Sequence, residues 1–143
     1  NYRRRMEEER QEVQKAANAR LILDLLTVMD DFHRALDSTP LEGDHAPWRE
    51  GVEIIRRKLL RVLEREGVTT IEAIGKPFDP WEHEALLSLE SPDRPEGEVI
   101  GMIQEGYKLH GKVLRPAQVV VAKRAEAEQK ASQEKQDIPS EEA

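Results

Sequence analysis

No cysteine occurs among the 143 residues, so disulfides, thiolate metal sites and a thiol nucleophile are all excluded. Aromatic residues make up only 4% of the chain, against 36% charged and 38% hydrophobic. That balance is too polar for one globule with a large core, and it suits long helices whose faces are mostly wet. No apolar run approaches the ~20 residues needed to span a bilayer. The richest stretch, Leu21-Ile22-Leu23, is broken at once by Asp24. A net charge of −7 disfavours nucleic acid as the main partner, because phosphate binding needs a local excess of Lys and Arg.

Pro and Gly are missing between Asn1 and Asp37, so nothing there must break a helix. At ~1.5 Å per residue the segment would run ~55 Å. Its apolar stripe is thin at first (Tyr2, Met6, Val13 and Ala17, interrupted by Glu9), a seam suited to a weak two-stranded coiled coil. From Leu21 two offset stripes appear: Leu21, Leu25, Val28, Phe32 and Ala35, then Ile22, Leu26, Met29, His33 and Leu36. A helix apolar over so wide an arc must touch more than one neighbour. Residues 38–47, with Pro40, Gly43, Asp44 and Pro47, read as a loop. A second helix is expected over 48–67, with Trp48, Val52, Ile55, Leu59 and Val62 on one face and Gly67 at its end. Two antiparallel helices of unequal length leave one another uncovered, and a two-fold dimer would supply four helices for a bundle.

At Gly67 the hydrophobic period changes from helical steps to short β-branched runs separated by Gly and Pro. Residues 68–123 therefore read as a small β head, with strands at Val68–Ile74, Ala85–Leu89, Val99–Gln104 and Val113–Ala122, in a small sandwich or open barrel. The segment 124–143, rich in Glu, Lys, Gln and Ala, reads as a frayed or disordered tail. The fold class expected is α+β: a long N-terminal helix, a second bundle helix and an all-β C-terminal head.

Nothing assembles into a catalytic site, a cofactor site or a metal site. The four His residues (33, 45, 83 and 110) lack zincin spacing, and His83-Glu84 is a weak metal signal beside its reading as a cap or packing residue. Asp30 and Asp31 point about 100° apart on a helix and read as a solvated face. Gly106 and Gly111 flank Tyr107 to His110 without the Lys-Ser/Thr ending of a phosphate loop. Arg3-Arg4-Arg5 is a basic cluster that either contacts a partner or is balanced by Glu7-Glu8-Glu9. Lys76 to Leu86 and Gly106 to Ala117 are more specific. Turn chemistry and a core strand account for their Gly, Pro and Val, though not for the order in which the residues come.

The chain resembles the GrpE family, nucleotide exchange factors of DnaK-type chaperones. The residues that carry the resemblance are Arg3-Arg4-Arg5, Leu25-Leu26, Val28, Asp30, Arg34-Ala35-Leu36, Gly51-Val52-Glu53, Phe78-Asp79-Pro80, His83-Glu84-Ala85, Gly106-Tyr107 and Val113-Leu114-Arg115-Pro116-Ala117 with Val119 and Val121. Several motifs in the right order are far more specific than any one alone. Thr27 departs from it, standing where many relatives carry Pro, and Lys112 stands where relatives often carry Arg.

The resemblance implies a homodimer with paired long helices in a parallel coiled coil, a four-helix bundle from two protomers and a β head on each. One head is expected to enter the ATPase domain of the chaperone and open its nucleotide cleft so that ADP leaves. Carried over by residue, the partner surface is Arg3, Phe78, Pro80, Ile103, Lys112 and Val121. The dimer and bundle positions are Leu21, Ile22, Leu25, Leu26, Met29, Phe32, Gly51, Val52, Ile55, Leu59 and Val62. The thin seam of the first helix adds the expectation that it melts early and that exchange falls on heating. No nucleic acid, membrane or cofactor is expected to take part. With no signal or transit signature visible, the expected location is a bacterial cytoplasm. Two rivals stand beside this reading: a coiled-coil scaffold whose β heads bind an unrelated protein, and a small hydrolase using Asp79, His83 and Glu84.

Overall fold

The computed structural model describes residues 1–136. Their order is α1 (Tyr2–Asp37), α2 (Ala46–Arg65), β1 (Val68–Thr70), β2 (His83–Glu90), β3 (Val99–Gln104), β4 (Tyr107–Leu109), β5 (Lys112–Arg115), β6 (Ala117–Lys123) and α3 (Glu126–Gln136). The class is α+β, a long N-terminal helix followed by a small all-β region of two three-stranded sheets. The chain forms two compact units. One is residues 1–71 with 106–115, and the other is residues 72–105 with the described residues from Pro116 to Gln136.

The first unit holds α1, α2 and the antiparallel sheet β1-β4-β5. Helix α1 runs unbroken through Thr27, whose hydroxyl donates to the Asp24 carbonyl at 2.6 Å. It ends without glycine: the Ser38 and Thr39 hydroxyls donate to the carbonyls of Arg34 and Ala35, both at 2.8 Å, and the Arg34 carbonyl also accepts the Ser38 N–H at 3.0 Å. Of the two apolar stripes, Ile22, Leu26, Met29 and Leu36 are buried. Ile22, Leu26 and Met29 form one core with Leu63 of α2, Val68 of β1 and Tyr107 of β4. Each such fully buried side chain contributes ~1.5–3 kcal/mol. In the other stripe Leu25 packs against this core and Phe32 is half-buried, while Leu21 and Val28 are exposed, as are Ile54, Ile55 and Val62 of α2. Tyr2, Met6 and Val13 are exposed as well.

Helix α2 begins at Ala46 with Pro47 in its first turn, where a missing N–H leaves no bond unmade. It starts two residues earlier than the tryptophan-led pattern suggests. Gly67 follows with φ of +94°. A Cβ there would lie 2.4 Å from the His110 ring, so the position needs glycine twice over. His110 and Gly111, both at positive φ, make the two-residue turn joining β4 to β5.

The second unit contains the sheet β2-β6-β3. Its central strand β6 pairs in parallel with β2 (His83↔Ala117 through Glu90↔Lys123) and antiparallel with β3 (Val99↔Val121, Met102↔Val119). Being central explains its apolar run. Val119, Ala117, Ala122, Val99, Ala73 and His83 are buried, whereas Leu86, Leu87 and Leu89 on the edge strand β2 are exposed.

Three expectations are corrected. The long strand expected at Val113–Ala122 is two strands, because Pro116 has no N–H to continue the ladder, and each half joins a different sheet. Val68–Ile74 is a strand only to Thr70. The tail is helical over Glu126–Gln136, since Glu, Lys, Gln and Ala are good helix formers as well as poor core formers. The remainder of the expected tail lies outside the described residues.

Candidate partner-binding surface

Phe78-Asp79-Pro80-Trp81-Glu82-His83 closes on itself by hydrogen bonds, and these give the order of its residues a reason. The Asp79 carbonyl accepts from the N–H groups of Glu82 at 3.2 Å and His83 at 2.8 Å. The Asp79 carboxylate accepts from the Trp81 N–H at 2.9 Å, an Asx turn. The Asp79 N–H donates to His83 Nδ1 at 3.0 Å. An acceptor side chain four residues after Asp79 is thus required, and Pro80, which needs no acceptor, fits between. The Phe78 N–H donates to the Gly97 carbonyl at 2.9 Å, tying the turn to the segment before β3.

His83 is 4% exposed, its ring 5.9 Å from that of Phe78. With Nδ1 accepting, the imidazole carries its proton on Nε2, which is buried and has no hydrogen-bond partner among the described residues. His83 therefore braces the turn. Among the described residues no three His, Asp or Glu side chains are grouped to hold a metal ion.

The second unit presents Phe78 half-buried, Pro80 exposed, Ile103 48% exposed on β3, and Val121 half-buried on β6. The two other carried-over contacts, Arg3 and Lys112, belong to the first unit and are exposed. Lys112 opens β5, directly after the His110-Gly111 turn. The turn is held where the His110 N–H donates to the Gly67 carbonyl at 2.9 Å. Leu109 and His110 line a hollow of about 140 Å³ with Lys15, Asn18, Ile22, Arg65 and Glu66. Arg3 is not part of that cluster, lying twelve residues, or ~18 Å, from Lys15 along α1.

Of the dimer and bundle positions, Ile22, Leu26 and Met29 are buried within the protomer itself, whereas Leu21, Ile55 and Val62 are exposed. Leu25, Phe32, Val52 and Leu59 are half-buried. A Cβ at Gly51 would meet nothing within 4 Å, so no contact among the described residues requires its small size.

Asp30 is a correction. It is not part of a solvated face but accepts both terminal nitrogens of Arg115, at 2.6 and 2.8 Å. The Arg115 guanidinium also lies 5.3 Å from the centre of the Tyr107 ring. Asp31 does face solvent, paired with Arg34 at 2.8 Å. No local pattern announces a partner 85 residues away. The only sequence signal was that Asp30 and Arg115 both fall among the residues carrying the family resemblance.

A sequence model of the GrpE family matches residues 1–123. Proteins named Protein GrpE are similar over most of the chain. That of Thermotoga petrophila is 47% identical over 90% of this chain and 75% of its own length. That of Thermotoga neapolitana is 42% identical over 96% and 79%, and that of Thermotoga sp. (strain RQ2) is 49% identical over 80% and 64%.

Proposed function

The chain belongs to the GrpE family, the nucleotide exchange co-chaperones of DnaK, and from that premise we propose that it works as a homodimer binding the chaperone's ATPase domain. The observation that carries the proposal is the self-bonded Phe78–His83 turn, which presents Phe78 and Pro80 in the order that the family resemblance requires. A pre-ordered turn loses little conformational freedom on docking, so more of its contact energy appears as affinity. Phe78, Pro80, Ile103, Lys112, Val121 and Arg3 form the contact set. The exposed stripe of Leu21 and Val28, with Ile55 and Val62, is the face that a second protomer covers.

Exchange on this mechanism needs no chemical step and no catalytic side chain. A protein that binds the open cleft better than the closed one shifts the population towards open. By linkage it weakens ADP as much as ADP weakens it, and a coupling of ~3 kcal/mol changes nucleotide affinity roughly 150-fold. The location is a bacterial cytoplasm: the relatives named above are bacterial, and no described helix is long and apolar enough to cross a membrane. The test is stopped-flow release of a fluorescent ADP from the ATPase domain of a DnaK-type chaperone. Addition of this protein is expected to accelerate release, and unchanged release would leave the scaffold reading in its place.

A further inference from the structure

The β4–β5 hairpin carries an irregularity that its turn does not explain. A two-residue turn with Leu109 opposite Lys112 and Lys108 opposite Val113 would place Leu114 opposite Tyr107. Instead Tyr107 pairs with Arg115, so β5 holds one extra residue at Leu114. Such a bulge re-aims the side chains beyond it. Here it puts Arg115 directly across from Tyr107, on one face of the ladder, with its guanidinium over a ring that is 1% exposed. From there the guanidinium reaches the Asp30 carboxylate on α1 through two bonds, with side-chain exposures of 14% and 31%. Leu114, the bulged residue, packs against the core.

Strand β4 of the hairpin is held along its length by the ladder to β1, from Val68↔Leu109 to Thr70↔Tyr107, and two further contacts fix the hairpin's ends. Its base is fixed by Asp30 through Arg115, and its tip by the Gly67 carbonyl through the His110 N–H. Lys112 lies between them. We propose that Asp30 and Arg115 are positioning residues for partner binding: their forked ion pair, stacked on Tyr107, ties β5 to α1 and so sets where β5 presents Lys112 to the chaperone's ATPase domain. This rests on the function proposed above. The geometry asks for Arg specifically, because a planar fork can bond both carboxylate oxygens while lying over a ring, and an ammonium cannot. A plain stabilising pair would need neither the bulge nor the stacking.

The test is a double-mutant cycle on ADP release together with amide hydrogen exchange of the free protein. Lys112→Ala should raise the concentration giving half-maximal release. Arg115→Lys, which keeps the charge, should raise it about tenfold, within the range of coupling between residues acting as a unit. The double variant should be no weaker than the weaker single variant, because Arg115 acts through Lys112. Asp30→Asn should match Arg115→Lys. In the free protein, both should speed exchange at the Lys112 and His110 amides and leave the β2-β6-β3 amides unchanged. Additive effects of K112A and R115K would overturn the inference, as would unaltered half-maximal concentrations accompanied only by a lowered melting temperature. Failure of the unsubstituted protein to accelerate release would instead overturn the function itself, and the exchange arm would still show whether the clamp orders the hairpin.

Discussion

His83 links the chemistry of one side chain to the shape of a contact surface. Its Nδ1 is the acceptor for the Asp79 N–H, and the Asp79 carboxylate in turn holds Trp81. An asparagine at position 83 can offer an amide oxygen close to the place of Nδ1, whereas glutamine places its amide nearer the place of Nε2. His83→Asn should therefore keep most of the stability. His83→Gln and His83→Ala should lose about 1–3 kcal/mol, the cost of a donor left without its acceptor. Urea midpoints measure this, and ADP-release curves should show the same ranking because Phe78 and Pro80 ride on the turn. The sequence supported a capping or packing role for His83 over a metal ligand, but not which N–H its ring accepts from. The reason for the motif's order is a hydrogen bond between residues four apart, and only the folded turn reveals it.

At the scale of the helix, α1 carries two stripes with different fates. Leu26 is fully buried and Leu21 is 58% exposed, although both looked equally apolar in the sequence. Leu26→Ala should destabilise the protomer by about 2–5 kcal/mol in urea unfolding. Leu21→Ala should change protomer stability little and instead raise the dimer dissociation constant in analytical ultracentrifugation. Equal effects of the two on association would remove the assignment of the open stripe to a second protomer. On α2, Glu53 accepts from Arg56 at 2.6 Å and from Arg57 at 3.3 Å, and the Arg56 hydrogen bond is the main cause that holds its carboxyl below the ordinary carboxylate value. A lowered pKa in the folded state means that the pair stabilises at neutral pH and that its contribution disappears as acid protonates Glu53. Glu53→Gln should therefore lower stability by about 0.5–1 kcal/mol at neutral pH. The gap to the unsubstituted protein should close as pH falls below the carboxylate range, as urea titrations at several pH values would show.

For the whole molecule, α1 is exposed throughout from Tyr2 to Asn18, whereas its later half shares a core with α2, β1 and β4. In the homodimer proposed above, pairing with a second helix is what stabilises this exposed part, because most helical stability in proteins comes from packing of an apolar face rather than from propensity. Far-UV circular dichroism of the dimer should show two thermal transitions, and acceleration of ADP release should fall across the first. One transition for the entire assembly would remove this thermal control. The sequence by itself determined α1, α2 to within two residues at each end, β3 to the residue, and the change of period at Gly67, because each depends on neighbours a few positions apart. It also carried the family through motifs that keep their order. Tertiary structure alone decided which helix stripe faces the core, that β4 and β5 pair with β1 beside the helices while β6 joins β2 and β3, and that Asp30 meets Arg115. Those are pairings between distant segments, whose partners no local period can specify.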